Sequence, residues 1–169
     1  GGVAYLPFLR LASSFSIPWY IFSDGEPLAI KNLQSALTQI GITDYTTQTN
    51  IVVLPNNHKF ESYLVAEQYE DAIIAMLDTH HGVSDYLSDY IKRMHGQQRT
   101  KTKVRDYQSA GGRERALVDV LLDSKTEYAK PLAMSIVSLP DAKRKFPSKL
   151  RQLYVQISND LGIGKTNIV

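Results

Sequence analysis

The stretch Ile17-Pro-Trp-Tyr-Ile-Phe22, followed at once by Ser23-Asp-Gly-Glu-Pro27, decides the fold of this 169-residue chain. Six consecutive residues without a charge are typical of a β-strand that is covered on both faces, as the strands of parallel sheets are. Pro27 suits the first position of a helix, and Gly41 is placed to end that helix. The stretch therefore predicts a buried strand, a tight turn and a helix.

The sequence on either side repeats this alternation. An apolar face within residues 5–15 predicts an N-terminal helix, which Ser16 and Pro18 should end. Residues 50–54 have the sequence Asn-Ile-Val-Val-Leu, are closed by Pro55, and predict a second buried strand. Helix, strand, helix and strand in close succession predict an α/β fold, with a parallel sheet and helices on both of its faces.

The middle of the chain changes to a helical pattern. Apolar residues recur every three or four positions over Glu61–Leu122. We therefore predict an all-helical insertion of about residues 62–122 within a domain of residues 1–140. The basic, glycine-containing stretch of residues 95–112 separates two of these helices and predicts an exposed loop.

The last part of the chain also begins with a helix signal. Residues 124–127, Ser-Lys-Thr-Glu, match a capping box and place Lys125 in the first turn of a helix. Pro131 should kink or shorten that helix, because proline lacks the N–H group that a helix interior needs. Residues 141–169 predict a basic C-terminal helical segment and a flexible tail.

The composition excludes several classes of protein. With 43% hydrophobic and 21% charged residues, the chain has the make-up of a globular domain rather than of a disordered segment. The absence of cysteine excludes disulfide scaffolds, thiolate metal sites and cysteine nucleophiles. No apolar run approaches the roughly 18 residues of a membrane span, and no secretory signal pattern is present. We therefore expect a cytoplasmic protein with no membrane partner.

The net charge of +2 is distributed unevenly. Residues 92–115 and 141–151 together carry thirteen basic and three acidic side chains, whereas residues 59–89 carry seven carboxylates and one cation. This division suits a protein that gathers divalent cations in one place and a polyanion in another; the alternative is a solvated helical surface. The candidate phosphate contacts are the eight cations of the first stretch, namely Lys92, Arg93, Arg99, Lys101, Lys103, Arg105, Arg113 and Arg115.

Three carboxylates follow the two predicted strands. Asp24 and Glu26 stand at the carboxyl end of the first strand, where open α/β sheets place their ligands. In extended geometry positions i and i+2 point to the same side, so both can reach one hard cation or bridge two. Glu61 opens a helix after the second strand, at the same sheet edge. The alternatives are a simple Asp-Gly turn and an acid that complements a helix dipole, but three acids on one edge favour neutralising cations.

The order of these elements resembles the Toprim domain of OLD-family ATP-dependent endonucleases. The resemblance covers most of residues 1–137, with the helical stretch as the insertion that those proteins carry. Its motifs, in chain order, are Asp24-Gly-Glu26, Phe60-Glu61 and Lys125-Thr-Glu-Tyr-Ala129. It implies a Toprim-like parallel sheet and a metal-dependent endonuclease that cleaves DNA.

The resemblance also implies roles for single residues. Asp24, Glu26 and Glu61 would hold Mg²⁺ or Mn²⁺, with two ions expected, and Asp24 and Glu61 would thereby act in catalysis. Lys125 would stabilise the charge that builds on the scissile phosphate. ATP would act only through a separate ATPase domain of the same parent protein, which is the expected partner besides DNA. A homodimer is left open.

One part of the family pattern has no counterpart. Toprim domains begin with a strand that ends in Glu-Gly, whereas this chain begins Gly1-Gly-Val-Ala-Tyr5. We therefore expect a domain without its first strand and without that glutamate. The alternative function is a non-catalytic, degenerate Toprim module that binds nucleic acid or a partner subunit. A third possibility is another Mg²⁺-dependent phosphoryl chemistry, as in primases and topoisomerases.

Overall fold

A computed structural model describes residues 5–163. The predictions that concern residues 1–4 and 164–169 lie outside the described residues. The helices are α1 Tyr5–Ser14, α2 Pro27–Thr38, α3 Phe60–Ala66, α4 Glu70–His81, α5 Tyr86–Met94, α6 Gly112–Asp123, α7 Lys125–Val137 and α8 Ser148–Asp160. The strands are β1 Ile21–Ser23, β2 Ile51–Val53, β3 Gln98–Thr100 and β4 Lys103–Val104. Short 3₁₀ turns lie at Tyr45–Thr47 and Ala142–Arg144.

The chain divides into two compact units. The first unit comprises the described parts of residues 1–63 and 147–169, and the second is Leu64–Phe146. Helix α7 belongs to the second unit because it packs against α4, and α8 belongs to the first because it packs against β2. The compact units therefore divide the chain differently from the predicted domain of residues 1–140, which grouped α7 with the sheet and left α8 outside.

The first unit contains the predicted parallel pair of strands. Ile21 lies opposite Ile51, and Ser23 lies opposite Val53, in a parallel ladder. The sheet of the described first unit has these two strands alone. Strand β1 begins later than predicted, at Ile21, so that the residues around Pro18 lead into the strand without joining the ladder.

Helices cover both faces of this sheet, as predicted. On one face, Ile21 and Ile51 share an apolar core with Leu9 of α1 and with buried residues of α2. On the opposite face, the rings of Phe22 and Phe60 meet edge to face with 5.9 Å between their centroids, and α8 packs against β2. Because successive strand residues point to opposite faces, one short strand contributes to both cores. The first unit is thus a mixed α/β structure.

The chain leaves and re-enters the first unit at neighbouring points. The hydroxyl of Tyr63 lies 2.8 Å from Ser148 Oγ and accepts a hydrogen bond from Lys149 N at 3.0 Å. Tyr63 is 1% exposed, so this junction is part of the core of the first unit. Residues 63 and 148 are therefore held together by bonds that involve the first unit alone.

In the second unit, helix α7 begins at Lys125 as predicted, but it lacks the predicted capping box. The side chain of Ser124 makes no cap hydrogen bond to the helix. Of the two effects predicted for Pro131, a kink or a shorter helix, shortening does not occur, and the helix continues to Val137. The burial of Tyr128, before the proline, and of Ile136, after it, accounts for this, because packing on both sides holds the helix across the missing N–H group.

The basic stretch of residues 95–112 is largely exposed, as its composition predicts, but it contains a pair of strands and buries two large side chains. Strands β3 and β4 pair in antiparallel fashion within it, and Arg105 and Tyr107 are only 8% and 7% exposed. Arg105 Nη2 donates to both carboxylate oxygens of Asp123 at 2.9 Å, and the Tyr107 hydroxyl donates to Asp119 at 2.9 Å. The carboxylates of these two α6 residues offset the cost of burying the charge of Arg105.

A histidine at the end of α4 is enclosed by aromatic rings. The ring of His81 stacks on Tyr86 with 3.7 Å between centroids, and its Nε2 lies 2.8 Å from the Tyr128 hydroxyl. Burial lowers the pKa of His81 below its usual 6.5, and His80 and Arg93 lower it further, against an opposing effect of Glu127. The folded protein therefore favours the neutral ring.

We expect the stability of the second unit to fall in mild acid because of His81. The unfolded chain binds a proton on His81 more readily than the folded protein does. The stabilisation that comes from the neutral His81 ring is therefore complete above about pH 6.5, and it is lost as the pH falls below that value. His81→Phe, which keeps a ring on Tyr86, should show a smaller loss of unfolding free energy between pH 7 and pH 5 in urea titrations. The control Thr79→Ala, on the same helix, should keep the wild-type loss; an unchanged loss in His81→Phe would refute the prediction.

Candidate functional site

Two chain segments meet at the carboxyl ends of β1 and β2. Gly25 N donates to the carbonyl oxygen of His58 at 2.8 Å. One residue earlier, Asp24 Oδ1 accepts a hydrogen bond from Phe60 N, the first residue of α3, at 3.0 Å. We call residues 24–26 and 58–61 together the carboxyl edge. Parallel pairing of the strands places both segments at the same end of the sheet, as predicted.

Gly25 allows these segments to approach closely. A Cβ atom at this position would lie 2.0 Å from the carbonyl oxygen of Leu54, the residue that follows β2. Two asparagines then reverse the chain, with φ angles of 52° at Asn56 and 59° at Asn57. Asparagine tolerates this left-handed region better than most residues. The local sequence therefore explains why the chain returns from β2 directly onto the Asp24–Glu26 turn.

Glu26 is paired with a lysine. Its Oε1 lies 3.4 Å from Nζ of Lys59, and the two side chains are 40% and 38% exposed. A pair this open to solvent is worth about 0.2–1 kcal/mol. Lys59 is the cation that sequence reasoning missed, although it was visible as the one basic residue in the acidic stretch of residues 59–89.

The structure brings the three predicted acids to the carboxyl edge. Glu61 directly follows Phe60, whose N–H group Asp24 binds, and it is half-buried in the first turn of α3. Within residues 5–163, however, no three His, Cys, Asp or Glu side chains are close enough to hold a metal ion together. The start of α3 therefore lies against Asp24, but the three carboxylates do not form a metal-binding group.

The donor chemistry nevertheless fits a hard divalent cation. Asp24 uses Oδ1 for Phe60, and its Oδ2 makes no hydrogen bond within the described part of the chain. Glu26 already accommodates the positive charge of Lys59. Mg²⁺ is commonly held by one or two carboxylates and several waters rather than by an all-protein cage. Asp24 and Glu26 are the residues that would hold such an ion, and Glu61 lies in the first turn of the helix that Asp24 contacts.

Lys125 belongs to a different part of the molecule. It is the first residue of α7 and lies in the second unit, whereas the three acids lie in the first. Its role at the acids stays a prediction.

The eight predicted phosphate-binding cations fall into two groups. Arg105 is buried, and Arg99 makes ion pairs of 3.1 Å with Asp119 and 3.2 Å with Asp123. Arg105 is therefore corrected from a phosphate contact to a core residue, because two carboxylates already compensate its charge. The spacing of Asp119 and Asp123, four residues apart on one helix, was the sequence signal for this pairing.

The remaining six cations are more accessible. Arg113 pairs with Glu70, Lys92 pairs with Asp89 at 3.4 Å, and all four of these side chains are at least 41% exposed. The remaining four are exposed as well: Arg93, Lys101, Lys103 and Arg115. Exposed ion pairs of this kind are weak and can be exchanged for phosphate contacts.

Comparison of the chain with protein-family models, with curated proteins and with solved structures finds no match. The Toprim resemblance thus depends on the residues and their order alone. Among the helices of residues 5–163, none is both long and apolar enough to cross a bilayer.

Proposed function

We propose that this chain is a Toprim-like nuclease domain, of the kind found in OLD-family ATP-dependent endonucleases, that hydrolyses DNA phosphodiesters with Mg²⁺ or Mn²⁺. The observation that carries the proposal is the link between Asp24 and the start of α3. The hydrogen bond from Phe60 N to Asp24 keeps Glu61 next to the Asp24–Glu26 turn. Acids that are distant in sequence thereby share one sheet edge, where α/β folds bind their ligands.

Each residue has a separate task in this proposal. Asp24 and Glu26 hold the divalent cation, which when bound supplies Lewis-acid chemistry and a more acidic water. Asp24 also holds α3 in place, so that Glu61 stays at the carboxyl edge. Lys125 offsets charge on the scissile phosphate, and the exposed cations of the second unit, Lys101 and Lys103 among them, bind the DNA backbone.

A second candidate function is supported by the partners that the acids already have. Asp24 binds the N–H group of Phe60, and Glu26 pairs with Lys59, so both have structural roles without a metal. The described residues also lack a finished three-ligand group. A non-catalytic module that binds nucleic acid or a partner subunit would need nothing more. Metal binding separates the two candidates.

Asp24→Asn tests the proposal without disturbing the fold. Asparagine keeps the Oδ1 acceptor for Phe60 N but removes the charge that a divalent cation needs. We expect Mn²⁺ affinity, measured by calorimetry, to fall at least about tenfold, as changes around metal ligands commonly do. We also expect the parent protein with this substitution to lose nicking of supercoiled DNA in Mn²⁺.

The matched control is Asp44→Asn. Asp44 is an exposed acid of the first unit whose Oδ1 accepts a hydrogen bond from Thr46 N at 2.8 Å. It likewise keeps its acceptor after the change, and it should retain Mn²⁺ binding and nicking. Unchanged nicking in Asp24→Asn would overturn the nuclease assignment. Absence of Mn²⁺ binding by the wild-type protein would support the non-catalytic module.

A further inference from the structure

Lys59 is held at the carboxyl edge by its backbone. Ser62 Oγ accepts a hydrogen bond from Lys59 N at 3.1 Å and donates one to Lys59 O at 3.1 Å. The preceding residue, His58, is bonded to Gly25, and the following residue, Phe60, is bonded to Asp24. The main chain on both sides of Lys59 is thus tied to residues 24–26, while its side chain is 38% exposed.

The lysine and a divalent cation would compete for Glu26. Nζ of Lys59 lies 3.4 Å from Glu26 Oε1 and compensates the charge of that carboxylate. An ion bound to Glu26 would repel the ammonium group, because like charges at such distances are unfavourable. The backbone cannot follow, so the side chain would swing away while its anchor stays at the carboxyl edge. Lysine is a flexible point charge that binds phosphate well.

We propose that Lys59 is the phosphate-binding cation of the carboxyl edge, and that a divalent ion taking Glu26 releases it toward the DNA backbone. This inference rests on the proposed function and assigns Lys59 a role that the resemblance gave to Lys125 alone. Without metal, Lys59 neutralises Glu26; with metal, it is available to a phosphate.

Metal binding and DNA binding are then coupled through one side chain. The ammonium group of Lys59 and an ion bound to Glu26 repel each other, so Lys59 weakens metal binding in the absence of DNA. The released lysine strengthens DNA binding in the presence of metal. Because coupling is reciprocal, DNA must raise the affinity for metal by the same factor.

Lys59→Met separates these two effects, because it should change them in opposite directions. Calorimetry with Mn²⁺ alone should show binding that is about two- to fivefold tighter than in the wild-type protein, the factor that corresponds to an exposed ion pair. Fluorescence anisotropy with a short phosphorothioate DNA duplex should show that the tightening caused by Mn²⁺ is smaller by about the same factor. Lys59→Arg should restore most of the tightening, because it keeps the charge.

The control is Lys31→Met, which removes an exposed lysine from α2 in the same unit. It changes the net charge equally, so it should weaken duplex binding to the same extent with and without Mn²⁺ and leave Mn²⁺ affinity unchanged. The inference on Lys59 is overturned if Lys59→Met behaves like this control while Mn²⁺ still binds in a manner that depends on Asp24. If the wild-type protein shows no Mn²⁺ binding that depends on Asp24, the proposed function itself is overturned instead.

Discussion

Replacement of Gly25 by alanine is expected to destabilise the first unit by at least about 3 kcal/mol. The new Cβ atom would lie 2.0 Å from the carbonyl oxygen and 2.9 Å from the carbonyl carbon of Leu54. Both contacts are with backbone, which cannot rotate away as a side chain would. The turn must therefore separate from the end of β2, and the hydrogen bond from Gly25 N to His58 O is lost.

The chain provides its own reporter and control for this prediction. Trp19 is the one tryptophan in the sequence and packs against the core of the first unit, so its fluorescence in urea follows the unfolding of that unit. Gly41→Ala is the matched change, because nothing lies within 4 Å of a Cβ atom there and only the φ angle of 87° opposes alanine. That strain costs about 1–2 kcal/mol. Equal losses for the two variants would refute the steric argument.

Asp123→Ala is expected to destabilise the second unit by about 3–5 kcal/mol, the range for breaking a buried ion pair. Asp123 accepts hydrogen bonds from Arg105 Nη2 at 2.9 Å and from the Tyr90 hydroxyl at 2.7 Å. Its loss leaves the arginine, 8% exposed, with Asp119 as the nearest carboxylate at 4.0 Å. Urea unfolding followed by circular dichroism measures the loss, and hydrogen exchange of α6 amides assigns it to this unit.

A double variant shows whether the uncompensated charge is the cause. Arg105→Met combined with Asp123→Ala removes both charges, and it should recover part of the lost stability. Asp89→Ala is the control, because Asp89 forms an exposed pair with Lys92 and its side chain is 64% exposed. We expect a change within about 0.5 kcal/mol for that variant. A double variant no more stable than Asp123→Ala would contradict the explanation by charge.

The sheet was predictable because local signals and tertiary packing agree in the first unit. The uncharged run before Ser23 and the Ile-Val-Val-Leu run after Asn50 both correspond to strands, and they pair in parallel. Strand limits were not predictable, because they depend on which backbone groups find partners across the ladder. The expectation of a Toprim-like sheet in particular stays a proposal.

In the basic stretch, composition and tertiary structure disagree at Arg105. A run of cations with glycines has the composition of a solvated loop, and nothing local to residues 95–112 indicates that Arg105 is buried. The compensating acids, Asp119 and Asp123, come from α6, which is a separate element. Charge pairing between separate elements is a property of the folded chain. The spacing of Asp119 and Asp123 on one helix suggests that they pair with a cation, but it does not identify Arg105 as that cation.

At the candidate site, the acids were visible in the sequence but their partners were not. The Asp24-Gly-Glu26 turn and Glu61 could be assigned to one sheet edge from strand order alone. The hydrogen bond from Phe60 N to Asp24 and the pair between Glu26 and Lys59 depend on how the turn after β2 folds back. That turn is set by two asparagines with positive φ angles, a conformation that residue type permits but does not dictate.

The junction at Tyr63 has a consequence for how the sequence of such a chain can diverge during evolution. Tyr63 joins Ser148 and Lys149 through bonds that belong entirely to the first unit. The 83 residues of Leu64–Phe146 therefore form an insertion whose two ends are held close together by these bonds of the first unit. Lengthening a segment between fixed ends costs little extra chain entropy. This insertion can be lengthened, shortened or exchanged while the carboxyl edge keeps its geometry, so the second unit can diverge in sequence without a change at Asp24, Glu26 and Glu61.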